Sequence, residues 1–301
     1  MSSIAYVTDD RMLEYHRLCR NHEMIFWRLS SKKRFTDFHN GDLLFFYARG
    51  PMSRKKGLIG YAHFDSIRRL SVKAMWDTYK DMTGYDSYEK LYETISRAAK
   101  GQEIPNRLNC LYLKDVVFFM TPIWPKEVQL EIPSNLESYC YIDKEDPQIT
   151  VRILRKAEEH GIDVWSWDSA EKPEEIFRED AVRHTVAMVS REIEAGPYSR
   201  RQLTEAGRLA AAQAEEEGWE RIRGCKTSCF RADPESIEIA LPFVYGQKDR
   251  TTQTQMLLGR MVMYSELLKK EESGKQIRFR VLGESVPDDV REMVNRLNER
   301  L

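Results

Sequence analysis

Three short apolar runs crowd into residues 24–64: Met24-Ile-Phe-Trp-Arg-Leu, Asp42-Leu-Leu-Phe-Phe-Tyr-Ala and Gly57-Leu-Ile-Gly-Tyr-Ala-His-Phe. Each is too short for an ordinary helix, rich in β-formers, and bounded by Gly, Asn, Asp, Ser or Pro, so each reads as a strand. Strands this close in sequence pair with one another or with a neighbour, which commits the first part of the chain to a sheet. Phe45 and Phe46 read as core residues. Asp42 after Gly41 reads as a turn residue, with contact to a ligand as the alternative.

The pattern then changes. Residues 71–99 are helical in character, with Tyr79, Tyr85, Tyr88 and Tyr92 recurring among charges, and Leu108 to Phe119 and Lys126 to Ile132 return to strand-like patterns. This order predicts a small, partly closed β-barrel with a helical insert over residues 1–145. Residues 146–190 read as a structured connector. In it Ile149-Thr-Val-Arg-Ile-Leu stays open between strand and helix, and Gly161-Ile-Asp-Val-Trp-Ser-Trp-Asp stays unassigned.

Residues 191–301 carry clearer start and stop signals. Ser199-Arg-Arg-Gln202 and Thr252-Gln-Thr-Gln255 are capping boxes that each predict a helix start, and Gly218 and Gly274 are placed to end those helices. Leu203, Ala206, Ala210 and Ala214 share one face of the first. Between them, Trp219 to Tyr245 predicts strands around the turn Asp233-Pro234-Glu235. Gln276-Ile-Arg-Phe-Arg-Val-Leu predicts another strand, and a last helix starts near Ser285. The whole is of α+β class, with a β-rich first domain and an α/β second.

Composition narrows the function classes. The 301 residues suffice for two domains, and the formal net charge of −1 gives no global attraction to polyanions, so nucleic-acid contact requires a local patch. The run Asp115 to Trp124 is far short of a membrane span, and the first ten residues lack the build of a signal peptide. Five cysteines, an odd number, fit a reducing cytoplasm better than a disulfide framework. Cys225 and Cys229 are spaced CxxxC without a second Cys or His pair, so they read as buried thiols and not as a metal site. No G-x-x-x-x-G-K-[ST] loop occurs, so nothing indicates motor-driven restriction.

Phe26-Trp-Arg-Leu-Ser-Ser31 resembles the aromatic-Trp-x-x-x-Ser opening of EVE domains, and Gly41-Asp-Leu-Leu-Phe-Phe-Tyr47 resembles the GD-apolar-apolar-F-Y strand of that family. Gly57-Leu-Ile-Gly-Tyr-Ala62 is similar to its next strand, where a glycine lets backbones approach closely. EVE domains belong to the PUA-like group with the YTH and ASCH domains, small β-barrels that bind RNA or DNA. Many take a modified base into an aromatic-walled pocket. The resemblance implies base contacts from Trp27, Ser30, Ser31, Asp42 and Tyr47. A flipped base offers a flat π face and a hydrogen-bonding edge, so those residue types suit it. Lys32, Lys33, Arg34, Arg49, Arg54, Lys55 and Lys56 gather in the adjoining loops and could hold phosphates.

From Ser199 onward the element order resembles the restriction-endonuclease-like fold of PD-(D/E)xK enzymes. Their chemistry needs two acidic groups on a divalent metal and a nearby lysine. The candidates are Asp233, Glu238 and Lys248, with Mg²⁺ as the implied cofactor. The acidic-x-Lys triplet falls on Gly246-Gln247-Lys248, where the acid is missing, or on Glu238-Ile-Ala240, where the lysine is missing. Three readings stay open. The first is a non-enzymatic reader of a modified base in defence against foreign DNA, its second domain a degenerate nuclease serving a homodimer. The second is a modification-dependent endonuclease with an atypical metal site, and the third an RNA-binding adaptor.

Overall fold

In the computed structural model, which describes residues 2–29, 35–50, 55–167, 173–193, 198–245 and 249–300, the first strand takes its neighbours from far along the chain. β1 (Ser3–Val7) is followed by α1 (Asp10–Cys19), β2 (Met24–Arg28), β3 (Leu43–Arg49) and β4 (Lys56–Leu70). Next come α2 (Val72–Tyr79), α3 (Tyr88–Ala98), β5 (Leu108–Ile123), β6 (Tyr139–Tyr141), α4 (Ile149–His160) and α5 (Pro173–Glu192). The chain divides into two compact units, Met1–Arg178 and Glu179–Leu301, with the division inside α5.

The six strands of the first unit form one sheet in the order β2-β5-β4-β3-β1-β6. β1 runs parallel to β3, Ser3 opposite Leu43 and Val7 opposite Tyr47, and the other pairs are antiparallel. Leu43, Leu44, Phe45 and Phe46 are all fully buried, so this strand is covered on both faces and shows no alternation. The register of β4 against β5 shifts at three places, which bends both long strands. At one of them Gly60 is obligatory, because a β-carbon there would lie 2.3 Å from the Val117 carbonyl oxygen.

The expected β-barrel is corrected in one respect. Among the described residues the hydrogen-bonded ladder is open, with β2 and β6 at its ends. β2 has five residues and β6 three, and the two do not pair with each other. Side chains bridge the gap instead: Phe26 meets Tyr6 edge-on at 4.6 Å, and Arg28 lies among the rings of Tyr6, Phe35 and Tyr139.

The helical insert is two helices, capped by the hydroxyls of Ser71 and Ser87. The strand expected from Lys126 to Ile132 is absent. Pro125 starts a 3-10 turn over Pro125–Val128, Glu127 accepts from the Trp124 N–H at 2.7 Å, and Gln129 closes it in the left-handed region. Ile149 to Leu154 is the start of a helix, α4.

The second unit continues with α6 (Arg200–Gln213), β7 (Glu220–Arg221), β8 (Cys229–Ala232), β9 (Ser236–Pro242), α7 (Arg250–Glu271), β10 (Gln276–Leu282) and α8 (Asp288–Arg300). β7, β8 and β9 form an antiparallel meander, and α7 crosses over to place β10 parallel to β9. α6 opens with the capping box of Ser199 and Gln202. α7 starts two residues before Thr252, after Asp249, and that second capping box is not formed. Ala206 and Ala210 are fully buried where α6 packs on β9 and β10, whereas Leu203 is 43% exposed.

Candidate functional site

A cleft of about 600 Å³ opens in the first unit between α1 and the strands β3, β4 and β5. Its helix wall exists because Asp9, two residues beyond the end of β1, caps α1, accepting from the backbone N–H groups of Arg11 at 2.8 Å and Met12 at 3.2 Å. Met12, Leu13 and His16 then face the core, which turns Arg11, Glu14 and Arg17 outward. Ile59, Phe118 and Phe119 make an apolar floor, and Phe118 is stacked on Phe46 at 5.9 Å.

Charge at the mouth is of two kinds. Arg17 is tied into the fold, to Glu14 at 2.7 Å and to Asp163 at 2.9 Å. Arg11 and Arg49 are exposed, and Arg49 forms no ion pair among the described residues. Burial, then the neighbouring Cys19 thiol, pushes the Tyr15 phenol up to about 12, so Tyr15 stays a neutral donor at the cleft wall. Behind the wall, burial pushes His16 down to about 4, and its Nδ1 meets the Asn21 side chain at 3.0 Å.

The structure brings only some of the expected base and phosphate contacts together. Arg49 lines the cleft. Lys56 stands opposite it in the β3–β4 register, with its ammonium 5.7 Å from the ring of Tyr47. Lys55 is exposed beside Lys56. Trp27 lies on β2, opposite Cys110, half-buried against the core, and its ring N–H is buried without a partner among the described residues. Asp42 is 3% exposed and accepts from the backbone N–H groups of Ser2 at 2.8 Å and His39 at 2.7 Å. Its carboxylate therefore holds the turn before β3. Ser30, Ser31, Lys32, Lys33, Arg34 and Arg54 lie outside the described residues.

Two contributors to the cleft escaped the sequence reading. One is α1, although Thr8-Asp9-Asp10 is a legible helix start. The other is the unassigned connector. Its Asp163 N–H donates to the Phe118 carbonyl at 2.9 Å, and the Trp165 carbonyl accepts from Arg20 at 3.1 Å, so the segment lies against the end of α1. Trp165 itself is 67% exposed.

In the second unit the nuclease candidates are otherwise engaged. Asp233 sits in the β8–β9 turn and accepts from the N–H groups of Glu235 and Ser236 and from the Ser236 hydroxyl at 2.7 Å. The Ser236 hydroxyl and these N–H groups outweigh burial and hold its carboxyl below the usual range. Glu238 on β9 has one oxygen 2.7 Å from Arg231 on β8 and the other 3.1 Å from Arg280 on β10. Both guanidiniums lie over the Trp219 ring, at 5.2 and 4.8 Å. A divalent cation at Glu238 would meet two positive charges already in place. Gly246, Gln247 and Lys248 lie outside the described residues. Among those described, no three His, Cys, Asp or Glu side chains converge as a metal site, and no helix is long and apolar enough to cross a membrane.

No protein-family profile matches the chain, and no curated protein matches its sequence. Among solved structures, that of ASCH from Zymomonas mobilis is similar at 17% identity and a TM-score of 0.35, over 50% of this chain and 93% of that one. A point mutant of the same protein gives 18% identity and a TM-score of 0.34, over 49% of this chain and 95% of that one. At these values the likenesses bear on neither ligand nor activity.

Proposed function

We propose that the first unit binds nucleic acid and takes one base into the cleft beside α1. The observation that carries this is the pairing of an apolar floor, Ile59, Phe118 and Phe119, with exposed guanidiniums of Arg11 and Arg49 at the mouth. A base brings a flat apolar face and a phosphate on either side, and needs both kinds of surface at once. Lys55, Lys56 and Tyr47 on the same hairpin extend the basic rim. The base is proposed to be a modified one, whose added group takes up room that a plain base leaves in about 600 Å³.

The test is fluorescence anisotropy with labelled single-stranded DNA and RNA carrying plain or modified bases. Arg49→Ala should weaken binding to all of them alike and flatten the salt dependence by about one unit of slope. Ile59→Trp, which fills the cleft, should erase any preference among bases and leave the salt slope as it was. Binding untouched by both variants would refute the proposal.

For the second unit we propose a restriction-endonuclease-like scaffold without hydrolytic activity, serving self-association. Support comes from the order of α6, the meander, the α7 crossover and parallel β10, and from the double engagement of Glu238. Val262 and Met263 on α7 and Met293 on α8 are 44–48% exposed, apolar surface suited to a second copy. A light-scattering mass of one chain at micromolar concentration would remove the self-association half of this reading.

A further inference from the structure

Among the described residues the most exposed large apolar side chains are those of Leu18, Met120, Val164 and Trp165, each 55–67% exposed. They come from three distant stretches of the chain and meet at one place. Leu18 on α1 and Met120 on β5 line the cleft, and Asp163, the residue before Val164, lines it with them. The Met120 N–H donates to the Gly161 carbonyl at 2.9 Å, and a β-carbon at Gly161 would lie 3.8 Å from Met120 Cε. Single exposed apolar residues are ordinary, but a group of them bordering one cleft marks a contact surface.

The turn that carries Trp165 is fixed by its own buried polar groups. Asp163 and Ser166, on either side of the exposed pair, are both buried. The Asp163 carbonyl accepts from the Ser166 N–H at 3.1 Å and from the Ser166 hydroxyl at 2.9 Å, and one Asp163 carboxylate oxygen accepts from the Trp165 N–H at 3.4 Å. The other carboxylate oxygen is bonded to Arg17 and the Trp165 carbonyl to Arg20, which ties the turn to the end of α1. An indole on so constrained a turn has little backbone freedom to lose when a flat partner covers it.

The surroundings select a nucleic-acid strand as that partner. Arg20 is exposed beside the turn, and Arg11 and Arg49 are exposed at the cleft mouth. The carboxylates of Glu14 and Asp163 are both bonded to Arg17, and Asp10 stands at the other end of α1. A strand supplies a π face and a phosphate at every residue, which matches an indole set among guanidiniums. By chain length alone the Cα atoms of Asp163 and Trp165 lie within about 7 Å of each other. A base on Trp165 is therefore a near neighbour of a base in the cleft.

Resting on the reading of the cleft as a base site, we propose that Trp165 stacks the base adjacent to the one in the cleft, so that the ligand is a single strand of two or more nucleotides. In a duplex the adjacent base keeps its own stacking and pairing partners, and its face is not offered to the indole.

The test is the anisotropy of short labelled DNA and RNA single strands in which the base on one side or the other of a central modified base is replaced by an abasic residue. Trp165→Ala should weaken binding of intact strands by about tenfold, the worth of one stacked base, with the salt slope unchanged. Trp165→Phe should keep most of the affinity. Removing the base on one side should cost the parent protein the same factor and Trp165→Ala nothing further, the coupling expected of two groups in contact. The urea midpoint of Trp165→Ala should match the parent, since the indole is exposed. Binding that still depends on Arg49 but is indifferent to Trp165→Ala overturns this proposal and leaves the cleft reading standing, as does a Trp165→Ala loss that adds in full to the abasic loss. A light-scattering mass halved by Trp165→Ala, with binding unchanged, overturns it in favour of a second copy on this surface. Absence of binding by the parent protein to any strand removes the cleft reading and this proposal with it.

Discussion

The guanidinium carbon of Arg28 sits 5.1 Å from the centre of the Tyr139 ring, so a cation from one end strand of the sheet closes against an aromatic from the other. Arg28 is 6% exposed and also lies 4.6 Å from the Phe35 ring and 5.7 Å from Tyr6. A cation held by ring faces does in side chains what a completed ladder would do in backbone. Arg28→Met should therefore lower stability by about 1–3 kcal/mol, the range for breaking a buried polar network. Arg28→Lys should recover only part, since an ammonium lacks the flat face. Urea unfolding followed by tryptophan fluorescence measures both.

Gly60→Ala should destabilise the first unit by about 1–3 kcal/mol, the usual cost of overpacking. The new methyl group would meet a backbone oxygen, that of Val117, and β4 and β5 would have to part to admit it. Gly101→Ala, where a β-carbon meets nothing within 4 Å, controls for the change in composition, although its positive φ adds some strain. A shifted urea midpoint with unchanged slope is the expected signature for Gly60→Ala.

Two buried histidines set an acid limit. Burial pushes His16 down to about 4 and His184 down to about 3. Each is neutral when folded, while the unfolded chain takes up a proton near pH 6.5. The stability they contribute is complete above that pH, declines as pH falls below it, and is gone once the folded histidines protonate at about 4 and 3. For His16 the span corresponds to about 3 kcal/mol. In His16→Gln the fall in unfolding free energy between pH 6.5 and 4 should be smaller by that order, as read by urea titrations at half-unit intervals.

Glu238 decides the second unit. Purified full-length protein should show no Mg²⁺- or Mn²⁺-dependent cleavage of plain or modified duplex, because both carboxylate oxygens are held by arginine. Glu238→Gln should cost about 1 kcal/mol of stability, a small figure because Arg231 and Arg280 are 44% and 38% exposed and well screened. Cutting by the parent protein that Glu238→Gln abolishes would establish a working nuclease centre.

The sequence showed most clearly those elements whose signal is local. Phe45 and Phe46 mark a strand buried on both faces, and Ser199 with Gln202 marks a helix start, without reference to anything distant. β1 was illegible because five residues of Ser-Ile-Ala-Tyr-Val carry little period, and their parallel partner begins 40 residues later with no hairpin to announce it. The cleft was illegible for a related reason. Its walls come from α1, from Arg49 and Ile59, from Phe118 to Pro122 and from Asp163, and no window of sequence holds them together. Asp42 shows the opposite limit. Its place in the Gly-Asp turn was legible, while the choice between ligand contact and a bond to the Ser2 N–H depended on where the first residues lie.

The position of β1 in the sheet also bears on how the chain is made. Ile4 pairs with Tyr141 on one side, the Ser3 N–H donates to Asp143 at 3.1 Å, and Thr150 donates to the Ser3 hydroxyl at 2.8 Å. On a translating ribosome the first strand therefore emerges about 135 residues ahead of β6, the native partner of one of its edges. At ordinary elongation speeds that wait is on the order of ten seconds. For that interval Ser3 to Val7 offers an uncapped apolar edge to the nascent-chain environment, and the first unit reaches its native topology only after α4 has cleared the exit tunnel.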